Sequence, residues 1–365
     1  MYGRSIGSSS LQDNDDSGIS RMSGKQTGFR VRLPSPFMLA IVVVFVVLPL
    51  VWPDNGDEAS NPKPIAAFEL VTDVKSLDIS HDGRKVAATC RDSPIDVWMR
   101  ERPPMWRRTL LPEHRLSGSR CLAFSPDGET LAVGNVDGTV SLWDVDSGKV
   151  EASLDAGSEM VSAIAYSPDS SLLATASADS RILLWDVARR RLRISWEGHH
   201  GPATALVFSP DGQYVASGGE DRTVRLWAVD GQHPPVIFRQ HTEITLSLAF
   251  SPDSRMLASS SLGDYRVRFW DVETGKSRES LIAIPVTATI TCLAYTPDGH
   301  TLISGNEHGT VAFWNLPTHR QKTPLNAHQG WVKAFALSSD GKTLATGGND
   351  GFVKIWNMAD LLKGR

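Results

Sequence analysis

One tryptophan returns at nearly constant intervals along most of this chain. It follows a short apolar or β-branched run seven times, at intervals of 45, 42, 42, 43, 44 and 42 residues. The seven positions are Trp98, Trp143, Trp185, Trp227, Trp270, Trp314 and Trp356. A period of this length is typical of chains that stack copies of one supersecondary unit, because no single unit can bury both of its apolar faces.

Each unit carries two further markers. A turn of the type Ser/Thr-x-Asp, such as the SPDG that follows Phe208, lies upstream of the tryptophan, and six residues before the tryptophan stands an aspartate, replaced once by His308. Ser, Pro, Asp and Gly at these places favour tight turns. In one unit the pattern predicts four strands, because the segments between turns are apolar or alternate with period two. Those strands are Ala203–Phe208, Tyr214–Ser217, Val224–Trp227 and Val236–Phe238.

Over residues 65–365 these units resemble the WD-repeat family of seven-bladed β-propellers. The Trp-Asp pair is kept in three units, at Trp143–Asp144, Trp185–Asp186 and Trp270–Asp271. The resemblance implies an all-β fold of seven four-stranded antiparallel blades, spanning residues 64–365. The chain ends nine residues after Trp356 without an outer strand for the last unit. We therefore predict that Pro64–Leu70 supplies that strand and closes the ring, which removes two exposed sheet edges.

Three units hold a His, a Ser or Thr, an Asp and a Trp, which together look like a hydrolase triad. The sets are His199, Ser217, Asp221 and Trp227; His241, Ser259, Asp264 and Trp270; and His328, Thr346, Asp350 and Trp356. A catalytic nucleophile needs one exposed copy beside an oxyanion hole. The family pattern instead implies a structural hydrogen-bond chain from Asp through His and Ser/Thr to Trp. We predict that the protein is not an enzyme and that it has no catalytic, cofactor or metal site.

Some units depart from this pattern. Ala88 and Val133 replace the hydroxyl in the first two units, and Gly157 and Val286 replace the His in the third and sixth. The three cysteines, Cys90, Cys121 and Cys292, form no C-x-x-C pair and lie in apolar runs. Their pattern predicts buried thiols rather than a disulfide framework or zinc site.

The first 63 residues form a separate part of the sequence. Residues 1–32 are polar and show no apolar period, which predicts a disordered tail. Residues 33–53 contain an uncharged stretch from Phe37 to Trp52, long enough for one membrane-spanning helix. Residues 54–63 then form a linker. A cleaved signal peptide is the alternative, but small residues at suitable spacing are missing after the apolar run, which favours an uncleaved anchor.

Flanking charge predicts the orientation of that anchor. Arg21, Lys25, Arg30 and Arg32 precede the apolar segment, whereas only Lys63 follows it closely. Positive flanks stay cytoplasmic, so the predicted tail is cytoplasmic and the propeller extracytoplasmic. The propeller contains no N-x-S/T acceptor, which favours a bacterial periplasm over a eukaryotic lumen.

We expect a non-catalytic, membrane-anchored scaffold that binds a protein or peptide. The net charge is −4, and no strongly basic block was identified, which argues against a nucleic-acid partner. In the family, loops before the first strand and between the second and third open onto one rim of the channel. The predicted rim residues are Trp331, Lys333, Ile244, Leu246, Met160, Lys75, Arg120 and Arg91. The alternatives are an extracytoplasmic enzyme or ligand sensor using the channel, and a cytosolic adaptor.

Overall fold

Turns rich in Ser, Pro, Asp and Gly divide the chain into short strands. The computed structural model describes residues 45–47, 62–90, 93–102, 105–111, 118–282 and 288–363. Two strands precede the repeats: β1 (Phe45–Val47) and β2 (Ala66–Glu69). The repeats form antiparallel blades in seven sheets, so the prediction of a seven-bladed all-β propeller is confirmed.

In every blade the first strand lies innermost, and the later strands follow outward in chain order. Blade 1 contains β3 (Val74–Ile79), β4 (Lys85–Cys90), β5 (Ile95–Arg102) and β6 (Met105–Leu111). Blade 2 contains β7 (Ser119–Phe124), β8 (Thr130–Asn135), β9 (Thr139–Asp144) and β10 (Lys149–Asp155). Blade 3 contains β11 (Val161–Tyr166), β12 (Leu172–Ser177), β13 (Ile182–Asp186) and β14 (Arg191–Trp196). Blade 4 contains β15 (Ala203–Phe208), β16 (Tyr214–Gly219), β17 (Val224–Ala228) and β18 (Val236–Phe238).

The last three blades differ mainly in their outer strands. Blade 5 contains β19 (Thr245–Phe250), β20 (Met256–Ser261), β21 (Arg266–Asp271) and β22 (Leu281–Ile282). Blade 6 contains β23 (Ile290–Tyr295), β24 (Thr301–Asn306) and β25 (Thr310–Asn315), with its outer strand split into β26 (Arg320–Gln321) and β27 (Leu325–Asn326). Blade 7 contains β28 (Val332–Leu337), β29 (Thr343–Gly348) and β30 (Phe352–Asn357), followed by the short helix α1 (Met358–Leu362).

A hydroxyl and a carboxylate two residues apart hold the turn between the first two strands of each blade. In blade 4 the Ser209 hydroxyl donates to Asp211 at 2.5 Å and accepts from the Tyr214 N–H at 2.9 Å. The same hydroxyl–carboxylate pair, at 2.5–2.7 Å, recurs in all seven blades. These contacts satisfy backbone groups that a tight turn would leave open, which explains why the sequence repeats this motif.

The repeated tryptophans pack between blades. The Trp270 ring of blade 5 stacks on Phe238 from the outer strand of blade 4, with ring centroids 4.8 Å apart. Trp227 of blade 4 stacks in the same way on Trp196 of blade 3, at 5.6 Å. Because each ring fills the space against the preceding blade, all seven tryptophans are buried.

The ring closes by pairing the beginning of the repeat region with its end. Strand β2 is the outer strand of blade 7, with Ala66 opposite Ile355 and Glu69 opposite Phe352. Phe68 on β2 stacks on Trp98 of blade 1 with centroids 4.7 Å apart. The predicted role of Pro64–Leu70 is therefore confirmed, and this strand joins blade 7 to blade 1.

Most of the predicted tail, anchor and linker lies outside the described residues. Within the segment 33–53, only Phe45–Val47 is described, and it forms a strand paired with β6 rather than part of a helix. The helical prediction therefore does not hold for these three residues, since antiparallel pairing to Arg107 and its neighbours replaces intrahelical bonds. Across the described ranges, no helix has both the length and the hydropathy needed to cross a bilayer.

Truncation tests the closure. Deleting residues 1–61 leaves β2 intact, so we expect a cooperatively unfolding domain. Deleting residues 1–73 removes β2, which exposes the edge of β30 and leaves Trp98 without its stacking partner. We expect this second truncation to lower the thermal midpoint by more than 10 °C or to yield no folded protein, as measured by circular dichroism. Identical melting of the two truncations would contradict the closure.

Candidate functional site

The structure brings each predicted His, Ser/Thr, Asp and Trp set together inside one blade. In blade 4, His199 Nδ1 lies 3.0 Å from Asp221 Oδ1, and His199 Nε2 lies 2.7 Å from Ser217 Oγ. The Trp227 indole N–H donates to the same hydroxyl at 2.8 Å. Blades 5 and 7 repeat this geometry with distances of 2.7–3.1 Å.

The direction of the hydrogen bonds follows from the protonation state of the histidine. Burial lowers the pKa of His199, although Asp221 opposes that shift, so the neutral ring is favoured. Its Nδ1–H then donates to Asp221, and Nε2 accepts from the Ser217 hydroxyl. Ser217, Ser259 and Thr346 are each 0% exposed. No substrate in solution can reach these hydroxyls, so these three sets do not provide a nucleophile.

A basic side chain completes each network, and sequence reasoning missed it. Arg225 is 4% exposed and donates to Asp221 at 3.2 Å. Arg268 donates to Asp264 at 2.8 Å in blade 5, and the Lys354 ammonium lies 3.9 Å from Asp350 in blade 7. The signal was present in the sequence, because only the three units with a complete network carry Arg or Lys two residues before the tryptophan.

Glycine provides room for two of the histidine rings. A Cβ built on Gly219 would lie 2.6 Å from His199 Nδ1, and one on Gly348 would lie 2.5 Å from the His328 ring. Both distances are shorter than side-chain packing permits. A glycine two residues before the aspartate is therefore part of the same network in blades 4 and 7.

Blades 3 and 6 keep only the hydrogen bond between the tryptophan and the hydroxyl. The Trp185 indole donates to Thr175 at 3.0 Å, and the Trp314 indole donates to Ser304 at 2.9 Å, without a histidine behind either hydroxyl. In blade 1 the hydroxyl is replaced by Ala88, and the buried Trp98 N–H has no hydrogen-bond partner among the described residues. The degree of internal bonding thus varies around the ring.

A second set of residues lines the central channel at one level. The pairing of the first and second strands shifts register in every blade, and the extra residue of each β-bulge faces the channel. Bulges commonly redirect one side chain in this way. We call these residues the bulge ring: Lys75, Arg120, Ser162, Thr204, Leu246, Thr291 and Lys333. They surround a cavity of about 430 Å³.

Hydroxyls of the bulge ring join neighbouring blades. The Thr204 hydroxyl donates to the Thr245 carbonyl of the next blade at 2.6 Å, and Thr291 donates to the Val332 carbonyl at 2.6 Å. Ser162 makes the equivalent bond to the Ala203 carbonyl. Each of these hydroxyls therefore stabilises the contact between two innermost strands.

Three cations replace those hydroxyls on one side of the ring. Lys333, Lys75 and Arg120 belong to blades 7, 1 and 2, whose innermost strands are neighbours. We call them the basic arc. Burial lowers the pKa of Lys333, and the charges of Lys75 and Arg120 lower it further against the opposing effect of Asp73. The charges of Lys75 and Arg120 are therefore close enough to act on Lys333.

The basic arc is only partly neutralised. Lys75 forms an ion pair with Asp73 at 2.6 Å. The Lys333 ammonium instead lies over the Trp331 ring, 4.3 Å from its centroid, which is a favourable cation–π contact. Within the described part of the chain, Arg120 has neither an ion pair nor a hydrogen bond through its side chain.

The predicted apolar rim residues are less exposed than the sequence suggested. Met160, Ile244, Leu246 and Trp331 are all half-buried. The carbonyls of Met160, Ile244 and Trp331 accept N–H bonds from the turn between the second and third strands, at 2.9–3.0 Å, which holds their backbone against that turn. Leu246 lies in the bulge ring, and Arg91 lies outside the described residues.

Other apolar side chains are exposed on that face. Val71, between β2 and β3, is 80% exposed, and Val136, in the turn between β8 and β9, is 49% exposed. Both loops open on the face from which the first strands begin, beside blades 1 and 2. Sequence reasoning overlooked them because a single valine in a polar turn gives no pattern.

A basic cluster on the outer surface was also overlooked. Arg189, Arg190, Arg191 and Arg193 are exposed at β14, together with Leu192. Asp186 pairs with Arg189 at 2.9 Å. The prediction that no block of the chain is strongly basic is therefore wrong for this segment. The cluster lies at an outer strand, away from the channel.

The cysteines lie in the core of the domain. Cys90, Cys121 and Cys292 are free and buried, and burial raises the pKa of both the Cys121 and Cys292 thiols to about 12. Among the described residues, no group of three or more His, Cys, Asp or Glu side chains is arranged to hold a metal ion.

A double-mutant cycle tests the network in blade 4. Ser217→Ala removes the acceptor of Trp227 and the donor to His199, so we expect unfolding free energy to fall by about 1–3 kcal/mol. Trp227→Phe removes the indole N–H. Because both changes affect one hydrogen bond, their combined cost should be less than the sum. Chemical denaturation measures all three variants. Strict additivity would show that the two groups do not act together.

Comparisons with known proteins agree with this architecture. A family profile described as the first β-propeller of IFT122 matches residues 160–324, and the profile of the WD domain, G-beta repeat, matches residues 107–144 and 319–357. A chain in the crystal structure of a mitotic checkpoint complex superimposes with a TM-score of 0.74 over 86% of this chain and 99% of its own. At 22% identity, that likeness concerns the fold alone.

Curated relatives match over short segments. Apoptotic protease-activating factor 1 of Homo sapiens is 37% identical over 81 residues, which are 21% of this chain and 6% of that protein. Protein groucho of Drosophila melanogaster is 30% identical over 118 residues, 29% of this chain and 16% of that protein. The chain thus spans only a small part of these relatives. The seven sheets show a seven-bladed β-propeller, and the profile matches show that it contains WD40 repeats.

Proposed function

We propose that this propeller is a non-catalytic scaffold that binds a protein or peptide at the channel mouth formed by blades 7, 1 and 2. The observation that carries the proposal is the basic arc beside Trp331, Val71 and Val136. This combination of positive charge and accessible apolar surface fits a partner segment with a hydrophobic anchor and acidic flanks. The similar WD40 proteins support the general class of function.

Loop geometry supports this face as the binding surface. The bond from the Asn349 N–H to the Trp331 carbonyl, 3.0 Å long, holds the backbone of Trp331, and the Lys333 ammonium contacts its ring at 4.3 Å. A preorganised aromatic ring loses little conformational freedom on binding. A half-buried ring such as that of Trp331 therefore suits an anchor position better than an exposed and mobile ring would.

A channel enzyme or ligand sensor is the competing function. It would need acidic, His or metal-binding groups converging on the channel. Instead, the described bulge ring consists of three cations, three hydroxyls and one leucine. Such a set favours recognition of an anion over acid–base chemistry, which weighs against a channel enzyme.

Partner capture tests the proposed face. The full-length protein is used to capture partners in mild detergent, and the recovered partner is then titrated against variants. We expect Trp331→Ala to weaken binding by about 2 kcal/mol or more, as aromatic anchors at interfaces often do.

The matched control is Leu192→Ala on the outer strand of blade 3, which removes an exposed apolar side chain far from the mouth. It should bind as the unmodified protein does. Both variants should keep the same thermal midpoint within a few degrees. If Trp331→Ala binds the partner normally, or Leu192→Ala weakens binding equally, the partner does not use this face.

We further propose that residues 33–53 anchor the scaffold in a membrane, with residues 1–32 cytoplasmic and the propeller extracytoplasmic, in a bacterial periplasm. The support is the sequence alone: an uncharged run of sufficient length and four basic residues before it. Membrane insertion would require residues 45–47 to leave the strand pairing with β6, so the two arrangements exclude each other for this segment.

Membrane fractionation and reporter fusions test the anchor. The full-length protein should resist extraction with alkaline carbonate, whereas a variant lacking residues 33–53 should be released. A C-terminal alkaline phosphatase fusion should be active and a C-terminal fluorescent-protein fusion, which folds only in the cytoplasm, should be dark. Release of the full-length protein by carbonate, or the reverse reporter pattern, would overturn the anchor or its orientation.

A further inference from the structure

Seven equivalent positions line the channel, and they carry three hydroxyls, three cations and, in blade 5, Leu246. In blades 3, 4 and 6 the bulge-ring residue is a Ser or Thr whose hydroxyl bonds to the innermost strand of the next blade. In blades 7, 1 and 2 the same backbone position carries Lys or Arg. An ammonium or guanidinium group cannot make this short hydroxyl bond, so these three contacts between blades lack it.

The basic arc therefore replaces bonds that the fold uses elsewhere. Thr at these positions would be compatible with the backbone, because blades 4 and 6 place Thr on the same bulge. Burial lowers the pKa of Lys333, and the charges of Lys75 and Arg120 lower it further, so these two cations act unfavourably on Lys333. Neither property favours the folded ring, and three such replacements lie on consecutive blades.

Among the described residues of the bulge ring, no acidic side chain balances the three charges of the basic arc. Asp73 forms an ion pair with Lys75 at 2.6 Å, and its charge also acts on Lys333. The other four members of the bulge ring are Ser162, Thr204, Leu246 and Thr291, none of which carries a charge. A cavity of about 430 Å³ separates the two sides, which is ample space for a small oxyanion and the segment that carries it.

We propose that the channel mouth is an anion site, in which Lys75, Arg120 and Lys333 together bind one carboxylate or phosphate group of the partner. The proposal rests on the scaffold function and names the group recognised there. The guanidinium of Arg120 presents paired N–H donors to two oxygens, while the two ammonium groups act as point charges on either side. Trp331 then contacts the chain next to that anionic group.

Free anions test the site without any partner. The full-length protein is unfolded thermally in sodium chloride, sodium acetate and sodium phosphate at matched ionic strength and pH. Binding to the folded state raises the midpoint with ligand concentration. The variant Lys75→Thr/Arg120→Thr/Lys333→Thr installs the residue found in blades 4 and 6, so it keeps a hydroxyl where the ring uses one.

The control variant is Lys149→Thr/Arg191→Thr/Arg193→Thr, which removes the same charge from exposed outer strands. Phosphate stabilises many proteins by exclusion from their surfaces, and that effect is common to all three proteins. We expect the rise in thermal midpoint with anion concentration to persist in the control variant. In the channel variant, the apparent anion affinity should fall at least tenfold. If the triple channel variant does not fold, Lys333→Thr alone should lower the affinity at least threefold.

The two salts distinguish the chemistry. A shift in phosphate but not acetate indicates a phosphorylated partner segment, and shifts in both indicate that a carboxylate suffices. Equal shifts in the channel variant and the unmodified protein, or no specific shift in either salt, would overturn the anion site. The scaffold function would still stand in that case if Trp331→Ala abolished partner capture, so failure of one proposal is distinguishable from failure of the other.

Discussion

A buried indole ring between successive blades is the contact on which the ring depends. The tryptophan of the third strand fills the space against the blade before it, as Trp227 does on Trp196 and Trp270 does on Phe238. Its N–H cannot remain in an apolar environment without cost, so a hydroxyl on the second strand accepts it. Where a histidine, an aspartate and a cation extend that bond, one network ties loop, turn and two strands together. The blades that lack it, notably blade 1 with Ala88, depend more on packing alone.

The inner surface follows a different rule. The β-bulge at the start of every first strand turns one side chain toward the channel, and blades 3, 4 and 6 use this position for a hydrogen bond to the next blade. Blades 7, 1 and 2 use it for charge instead. The residues that depart from the structural pattern are therefore the best guide to function, since a fold tolerates unfavourable groups where they serve recognition.

Much of the architecture was predictable from the sequence, whereas the surface of the site was less so. The tryptophan period and the Ser-x-Asp turns specify seven blades because both depend on local sequence. The assignment of Pro64–Leu70 to the last blade followed from counting strands. The bulge carries no local mark, since Lys75 and Thr204 occupy it equally well, and its direction becomes clear only when the ring is closed. The exposure of Val71 and the partial burial of Met160 depend on loop contacts between distant residues, which no periodicity encodes.

The pairing of β2 with β30 has a consequence for how the protein is made. Synthesis proceeds from the amino terminus, so Ala66–Glu69 emerges from the ribosome long before Phe352–Asn357, its partner. Domains generally fold as units while the chain is produced, but this ring cannot close until Phe352–Asn357 has been translated. Until then the partial ring keeps two open sheet edges, although Phe68 can already stack on Trp98. The domain is therefore an incomplete ring until β30 has been made, and during that time its two open edges are available for pairing with other chains.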